Sequence, residues 1–236
     1  MAERPIFVPV PEQEGYVRQI SFEIPWAGGF AESQKWKNIT SLHAAAERAG
    51  YAPLLEISSK SDTRAGQKLS AFNLRVQSTF GELTLENAFQ GSKVFARGGP
   101  FTDLYNVEPR QAKRDPRLQE SGQLTSFTFD GYDFPLVPRT VFYDWLYLTA
   151  IFQHRDWIKE RIDGRYQYAG FTDIEFNPAK SFNCQARSCA LFVSLMREGK
   201  LEAYMHTPQT FIAAMKTNAA SEPEQRHIAQ ARLRVG

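Results

Sequence analysis

The stretch Thr84-Leu-Glu-Asn-Ala-Phe-Gln-Gly-Ser-Lys-Val-Phe95 carries the most information about the fold of this chain. Thr84 is a good N-cap residue, and the residues after it predict a helix over 85–95 that ends near Gly98-Gly99-Pro100. Polar side chains recur along this helix at helical spacing, at Glu86, Gln90, Lys93 and Arg97. They form either a solvated face with a stabilising Glu-to-Lys pattern or a polar stripe that lines a cleft.

The segments on either side of this helix predict a fold of the α+β class. Strand patterns occur at 16–25, 54–58, 72–76, 80–83, 125–129 and 132–134, and Asp130-Gly131 is a hairpin signal between the last two. Helix patterns occur at 33–48, 109–117, 140–161 and 182–199. Residues 140–152 are apolar nearly all round, which predicts a central buried helix, and residues 59–68 are predicted to be a polar loop.

These elements predict a single, mainly helical domain with short strands over 51–220. Residues 1–50 would form an N-terminal extension of one strand and one helix, and residues 221–236 a polar C-terminal tail. The length of 236 residues is enough to bury a sizeable core, and 18 Phe and 9 Tyr argue against a disordered chain.

The charge balance constrains how the chain could contact nucleic acid. With 28 Lys and Arg against 26 Asp and Glu, the net charge is +2, so any such contact must come from a local basic patch. No apolar run approaches a membrane span and no secretory signal is visible, so we expect a cytoplasmic protein without membrane contact. The two cysteines, Cys184 and Cys189, are expected to be reduced and partly buried.

Common catalytic and cofactor motifs are missing from the sequence. It has no Walker A loop, no Gly-x-Gly-x-x-Gly, no His-Glu-x-x-His and no Gly-x-Ser-x-Gly. The four histidines are widely scattered, at His43, His154, His206 and His227. We therefore predict neither a metal site nor a cofactor.

Five motifs, in order along the chain, resemble the NADAR (YbiA-like) family. Glu86-Asn-Ala-Phe-Gln-Gly-Ser-Lys93 is similar to its Glu-His-x-Phe-Gln-Ala-x-Lys segment, and Leu69-Ser-Ala-Phe72 to its Leu/Phe-Ser-Asn-Phe. Three further matches lie downstream: Pro109–Arg117, Trp145–Phe152, and Asp173 followed by Asn183. The resemblance covers about residues 54–200, which makes 51–220 a NADAR-like catalytic domain.

Departures from the family pattern indicate one branch of it. Asn87 stands in place of the family His, Ala71 in place of the usual Asn, and residues 171–183 diverge from the family's glycine-rich stretch. The chain resembles the branch that serves as antitoxin beside DarT-type DNA ADP-ribosyltransferase toxins. That resemblance implies removal of ADP-ribose from guanine in DNA, with ADP-ribose as product and a cognate toxin as a further partner. Two alternatives remain: an N-glycosidase acting on riboflavin-pathway intermediates, and a non-catalytic antitoxin that docks on its toxin through residues 1–50.

Cleavage of a ribose–nitrogen bond builds oxocarbenium-like charge, so the site needs a carboxylate and a proton source. Glu86, in a first helical turn that favours its ionised form, and Asp173 are the candidate carboxylates. Lys93 or Lys60 is the candidate acid. Alternatively, a lysine of lowered pKa attacks the opened sugar aldehyde and forms a Schiff base.

Candidate ligand-binding residues are polar and aromatic side chains near these motifs: Ser58, Lys68, Ser70, Phe72, Asn73, Phe89, Gln90, Arg117, Trp145, Phe176 and Asn183. The aromatic members, together with Phe171, could stack on bases or pack in the core. Two basic groups are either solvated or clamp a pyrophosphate or DNA backbone: Arg110, Lys113, Arg114 and Arg117 in one, and Lys60, Arg64 and Lys68 in the other. Asp144, inside the apolar helix, is either structural, at an exposed helix edge or buried and hydrogen-bonded to a backbone group, or part of the site.

Overall fold

Residues 1–29 and 31–219 are described by the computed structural model, and the tail expected at 221–236 lies outside them. The α+β class is confirmed. The strands are β1 (Ala2–Pro9), β2 (Val17–Ile24), β3 (Leu54–Glu56), β4 (Arg75–Ser78), β5 (Gly81–Thr84), β6 (Lys93–Phe95), β7 (Leu124–Phe129), β8 (Tyr132–Phe134) and β9 (Gly170–Thr172). The helices are α1 (Glu32–Arg48), α2 (Arg64–Lys68), α3 (Leu85–Gly91), α4 (Pro109–Lys113), α5 (Arg117–Glu120), α6 (Val141–Phe152), α7 (Arg155–Trp157), α8 (Gln185–Arg197), α9 (Leu201–Tyr204) and α10 (Pro208–Ala219).

A four-stranded sheet in the order β2-β1-β9-β3 brings the two N-terminal strands beside β3 and β9. β1 is antiparallel to β2 and β9, whereas β3 and β9 run parallel, with Leu55 opposite Phe171. Strands from both sides of residue 50 therefore share one sheet. The sequence analysis missed β1 because Pro5 and Pro9 are unfavourable in strands. β9 meets β1 only at Phe7, so neither proline falls on that ladder.

The helix that begins after Thr84 is shorter than the sequence predicts. It ends at Gly91, and residues 93–95 form β6, which pairs with β7. The residues after Gly91 pair with β7 instead of continuing the helix, and Gly91 lets the Tyr105 ring pack closely at the helix end, because a Cβ there would lie 2.4 Å from that ring. Ser92 then donates its hydroxyl to the Ala88 carbonyl, 2.6 Å away, and the chain leaves the helix.

The long helix predicted at 140–161 is also interrupted. α6 ends at Phe152, a turn follows, and α7 leads into a π-helical stretch at Ile158–Arg165. The apolar pattern stops at Phe152, and the N–H of His154 closes the turn on the Ile151 carbonyl at 2.8 Å. Within the predicted polar loop at 59–68, the hydroxyl of Thr63 accepts from the Gly66 N–H at 3.0 Å and so caps α2.

Two apolar layers enclose the sheet. α1 packs on one face through Ile39, Leu42 and Ala46, and α6 and α8 form the larger core on the other. α6 is buried nearly all round, as predicted, and both cysteines are free and buried. Within the described residues, no helix combines the length and apolar character required to cross a membrane.

Asp144 ties the two core helices together. Its carboxylate, 2% exposed, accepts from Arg187 Nη1 at 2.7 Å and from Ser188 Oγ at 2.6 Å, both on α8. Asp144 is therefore a structural residue, the first of the two roles that the sequence left open.

Replacing this buried carboxylate tests that role. Asp144→Ala leaves the Arg187 guanidinium without a carboxylate partner and should lower the free energy of unfolding by about 3 kcal/mol. Asp163→Ala is the matched control, because Asp163 pairs with Arg197 of the same helix at a more exposed position. Its loss should cost about 0.5 kcal/mol. Urea unfolding followed by circular dichroism measures both, and equal effects would contradict a structural role for Asp144.

Candidate active site

A buried carboxylate lies at the carboxyl ends of the parallel strands β3 and β9. Glu56, 1% exposed, accepts hydrogen bonds from Ser58 Oγ at 2.8 Å, Thr172 Oγ1 at 2.6 Å and the Ile174 N–H at 2.9 Å. Burial raises its pKa, and the three donors partly oppose that shift. Since the three donors come from segments far apart in sequence, Glu56 fixes how the ends of the two strands meet.

Asp173 lies next to this carboxylate and connects it to a second loop. It accepts from the Glu175 N–H and from Gln185 Nε2, both at 3.0 Å. Burial, and then the negative charge of Glu56, raises the pKa of Asp173 well above its usual range. Gln185 Oε1 accepts from the Ala71 N–H at 2.7 Å, so Asp173 is joined through one amide to the segment that carries Ser70.

Two buried polar atoms on these segments are unsatisfied. Within the described part of the chain, Ser70 Oγ and Asn183 Oδ1 have no hydrogen-bond partner. A buried polar atom without a partner costs free energy, so both are suited to bind a polar group of a ligand. Ser58 is already engaged, because it donates to Glu56 and its oxygen accepts from the Lys60 N–H at 3.1 Å.

His43 of α1 extends the Glu56 network towards the surface. Its Nε2 lies 2.9 Å from Thr172 Oγ1, which itself donates to Glu56. A hydroxyl has one proton, so while Thr172 donates to an ionised Glu56, His43 must donate through Nε2–H. Burial lowers the pKa of His43, which favours this neutral form. Its ring also lines a surface cavity of about 230 Å³ with Trp36, Glu47 and Asp62.

A second polar group comes from α3 and β6. Gln90 donates through Nε2 to Glu86 Oε1 at 2.8 Å, and its Oε1 accepts from Lys93 Nζ at 2.5 Å. Burial lowers the pKa of Lys93 to about 8; the charge of Glu86 opposes this shift and that of Lys113 adds to it. Lys93 Nζ also lies 5.0 Å from the centre of the Phe89 ring. Lys93 lies on β6 and not on the helix predicted at 85–95, but its side chain still reaches Gln90.

Tyr143 of α6 lies next to the aromatic ring that Lys93 contacts. Its ring meets Phe89 edge-on, with 5.7 Å between ring centres, and Lys93 Nζ lies 5.0 Å from the centre of the Phe89 ring. Burial raises the pKa of Tyr143 strongly, and the nearby ionisable groups of Cys184, Asp173 and Glu86 add to the shift. The residue as a whole is half-buried.

Other candidates from the sequence are engaged elsewhere in the fold. Arg117 pairs with Asp103 at 2.6 Å and with Asp115 at 2.9 Å. Trp145 packs against Phe134 and Phe211 in the core, and Phe176 packs against Phe7. Phe171, also named as a stacking candidate, is fully buried in the sheet.

The remaining candidates are exposed or half-buried. Lys68 Nζ lies 4.5 Å from the centre of the Trp157 ring, and Phe72 is 73% exposed. Asn73 is exposed and donates to the Gln67 carbonyl at 2.8 Å, and Lys60 is half-buried beside Ser58. Asn87, the residue at the family's His position, is structural: it donates to the carbonyls of Leu104 and Val107 at 2.6 and 2.8 Å.

The sequence analysis missed Glu56, Thr172, Gln185, Tyr143 and His43. One signal was present: Glu56-Ile-Ser58 and Thr172-Asp173 each end a short apolar run, and polar residues at the carboxyl ends of adjacent parallel strands often form a site. That the two runs are adjacent and parallel is a property of the sheet only. Among the described residues, no group of three or more His, Cys, Asp or Glu is placed to hold a metal ion.

Comparison with known families gives one match. A family model described as "DarT1-associated NADAR antitoxin" matches residues 2–225. The match includes β1, β2 and α1, which lie outside the segment that resembles the minimal family. The comparison with curated proteins found no match.

The hydrogen-bond chain through Thr172 predicts a tautomer change. In Glu56→Gln, the amide oxygen must take the position that accepts the hydrogen bond from the Ile174 N–H, because the amide NH₂ cannot accept it. The amide NH₂ then lies on the Thr172 side and donates a hydrogen bond to the Thr172 hydroxyl. Thr172 then donates to His43 Nε2, and His43 should change from the Nε2–H to the Nδ1–H form. ¹⁵N NMR of the imidazole ring measures this. Ser58→Ala, which removes a donor on the opposite side of Glu56, should leave the tautomer unchanged. An unchanged His43 in Glu56→Gln would contradict the chain as described.

Proposed function

The chain belongs to the family of DarT1-associated NADAR antitoxins, and from that premise we propose that it is a hydrolase that removes ADP-ribose from guanine bases of DNA. In this role it reverses the modification made by a DNA ADP-ribosyltransferase toxin. The observation that carries the proposal is the hydrogen-bonded series Glu86–Gln90–Lys93. The Gln90 side-chain amide donates to the Glu86 carboxylate and accepts from Lys93, whose pKa is lowered.

The reaction replaces the bond between ribose C1 and the exocyclic nitrogen of guanine with a bond to water oxygen. Positive charge develops on the sugar as the C1–N bond breaks. Glu86 stabilises that charge and accepts the proton of the attacking water. Lys93 donates a proton to the departing nitrogen, which leaves as the amino group of guanine. Lys93 suits this step because, with a pKa of about 8, it is mostly protonated at neutral pH and gives up its proton readily.

Groups around Asp173 provide the second side of the proposed site. The raised pKa of Asp173 makes it suited to hold a proton and to donate a hydrogen bond to the substrate. Ser70 Oγ and Asn183 Oδ1 supply unsatisfied polar atoms on the neighbouring segments. Trp145, Phe176 and Arg117 are left out of this site, since their rings and guanidinium already have partners in the fold.

Lys93, rather than Lys60, is the lysine we assign, because Gln90 ties it directly to Glu86. Were a lysine to attack the sugar instead, its amine would form a covalent Schiff base with the opened aldehyde. Borohydride reduction during turnover distinguishes the two mechanisms. Direct hydrolysis leaves no ADP-ribosyl–protein adduct, whereas an adduct lost in Lys93→Met would show Lys93 to be the nucleophile.

Removal of the Glu86 charge tests the hydrolase assignment. Glu86→Gln keeps the side-chain shape but cannot carry the negative charge, so kcat should fall about 10²- to 10⁴-fold. Mass analysis of released ADP-ribose after incubation with guanine-ADP-ribosylated oligonucleotide measures this. Glu120→Gln removes the same charge from an exposed position on α5 and should leave kcat unchanged. A folded Glu86→Gln protein with full activity would contradict the role assigned to Glu86. Wild-type protein that releases no ADP-ribose would contradict the hydrolase activity.

The pH dependence of the reaction tests the role of Lys93. An acid catalyst must be protonated, so kcat/KM should fall as pH rises through about 8. Lys113→Met removes a positive charge that lowers the pKa of Lys93, so the pKa of Lys93 should rise. The fall of kcat/KM at alkaline pH should then occur at higher pH. Arg114→Met is the control, because it removes an exposed positive charge that does not shift the pKa of Lys93. If kcat/KM of Lys113→Met falls at the same pH as in wild type, the titrating group is not Lys93.

A further inference from the structure

A basic groove lies beside the proposed active site and is not used by the reaction described above. Its volume is about 480 Å³, and its lining includes Arg64, Lys68, Arg75, Glu82, Gln153 and His154. α2 forms one wall, the β4–β5 hairpin another, and the turn after α6 closes one side.

Positive charge is concentrated in this groove. Three cations, Arg64, Lys68 and Arg75, face one carboxylate, Glu82, whereas the whole chain carries a net charge of only +2. The three cations are exposed, and within the described residues none of them forms an ion pair with a carboxylate. Unpaired cations gathered in a groove are the electrostatic feature that binds phosphate groups.

The groove and the proposed active site share one segment of the chain. Ala71 donates its N–H to Gln185, which in turn donates to Asp173 on the active-site side. On the groove side, Asn73 lines the wall, and Arg75 Nη1 donates to the Leu74 carbonyl at 3.1 Å. Phe72 lies between these residues and is 73% exposed, with its ring available to solvent. Residues 71–75 therefore connect the Asp173 group to the groove, with the exposed Phe72 between them in the chain.

Resting on the proposed hydrolase function, we propose that the basic groove binds the phosphodiester backbone of the DNA strand that carries the modified guanine, with Phe72 stacked on a neighbouring base. An exposed aromatic side chain beside a cationic groove is the arrangement that binds single strands without sequence preference. The openness of the groove favours a polymer over a small ligand, because small-ligand pockets enclose most of the ligand surface. The assignment also explains how a chain of near-neutral charge holds DNA, since phosphate contacts position the strand and the pocket selects the base.

The variants are chosen to spare the fold. Arg64→Ala/Lys68→Ala removes two exposed cations, and Arg75 is kept because it binds backbone carbonyls of the shared segment. Lys37→Ala/Arg48→Ala removes the same charge from exposed positions on α1, outside the groove, and is the matched control. Phe72→Ala removes the stacking ring, and Phe72→Trp keeps one.

The first measurement does not depend on catalysis. Fluorescence anisotropy with an unmodified single-stranded oligonucleotide gives the affinity across a series of salt concentrations. Arg64→Ala/Lys68→Ala should bind about tenfold more weakly at low salt, and the slope of log affinity against log salt should fall by about 1.4, which is two phosphate contacts. Phe72→Ala should weaken binding about fivefold or more, and Phe72→Trp should restore it. Affinity and slope equal to wild type in the double variant overturn the proposal.

The second measurement identifies which phosphate occupies the groove. We compare kcat/KM on an ADP-ribosylated oligonucleotide with kcat/KM on guanosine carrying ADP-ribose at the same amino group. A backbone site lowers kcat/KM in the double variant for the oligonucleotide alone. An equal loss on both substrates places the pyrophosphate of ADP-ribose in the groove and overturns the backbone assignment. If wild type releases no ADP-ribose but the variants bind the oligonucleotide as expected, the hydrolase proposal fails, whereas the assignment of the groove as a DNA-binding site is kept.

Discussion

The buried carboxylate of Glu56 is the interaction on which the rest of the site depends. A carboxylate removed from water must be surrounded by donors, and Glu56 obtains three from its own strand end, from β9 and from the segment after β9. These bonds fix the positions of β3 and β9 relative to each other, because the two strands pair over only three residues. They also place Asp173 beside Glu56: burial raises the pKa of Asp173, and the charge of Glu56 raises it further.

The same network explains why residues 1–50 belong to the folded core. β1 and β2 continue the sheet that carries Glu56, and α1 brings His43 to Thr172. The cluster of Ile6, Ile24, Ile39 and Leu42 seals that side of the sheet. The predicted boundary at residue 50 thus crosses a sheet and a hydrogen-bond chain, and the family match likewise begins near the first residue of the chain.

Aromatic residues divide into two populations that the sequence alone does not separate. Trp145, Phe171 and Phe176 fill the core, whereas Phe72 is exposed and Phe89 is half-buried beside Lys93. Cations divide in the same way: Arg117 is committed to two aspartates, and Arg64, Lys68 and Arg75 face the groove without a carboxylate partner among the described residues. For both residue types, the neighbours supplied by the fold decide the function.

The sequence by itself determined the α+β class, the hairpin at Asp130-Gly131, the buried helices α6 and α8 and the family resemblance, because these follow from local periodicity, turn chemistry and motif order. It also named Glu86, Gln90 and Lys93, which stay predicted site residues. It misjudged where α3 and α6 end and missed β1. Residues 93–95 leave the helix to pair with β7, and β1, which carries Pro5 and Pro9, pairs with β2 along its whole length. Only the tertiary structure brought Glu56, Thr172, His43 and Gln185 together around Asp173. Such a cluster is made by contacts between segments more than 100 residues apart in sequence, and no local pattern records which strands become neighbours.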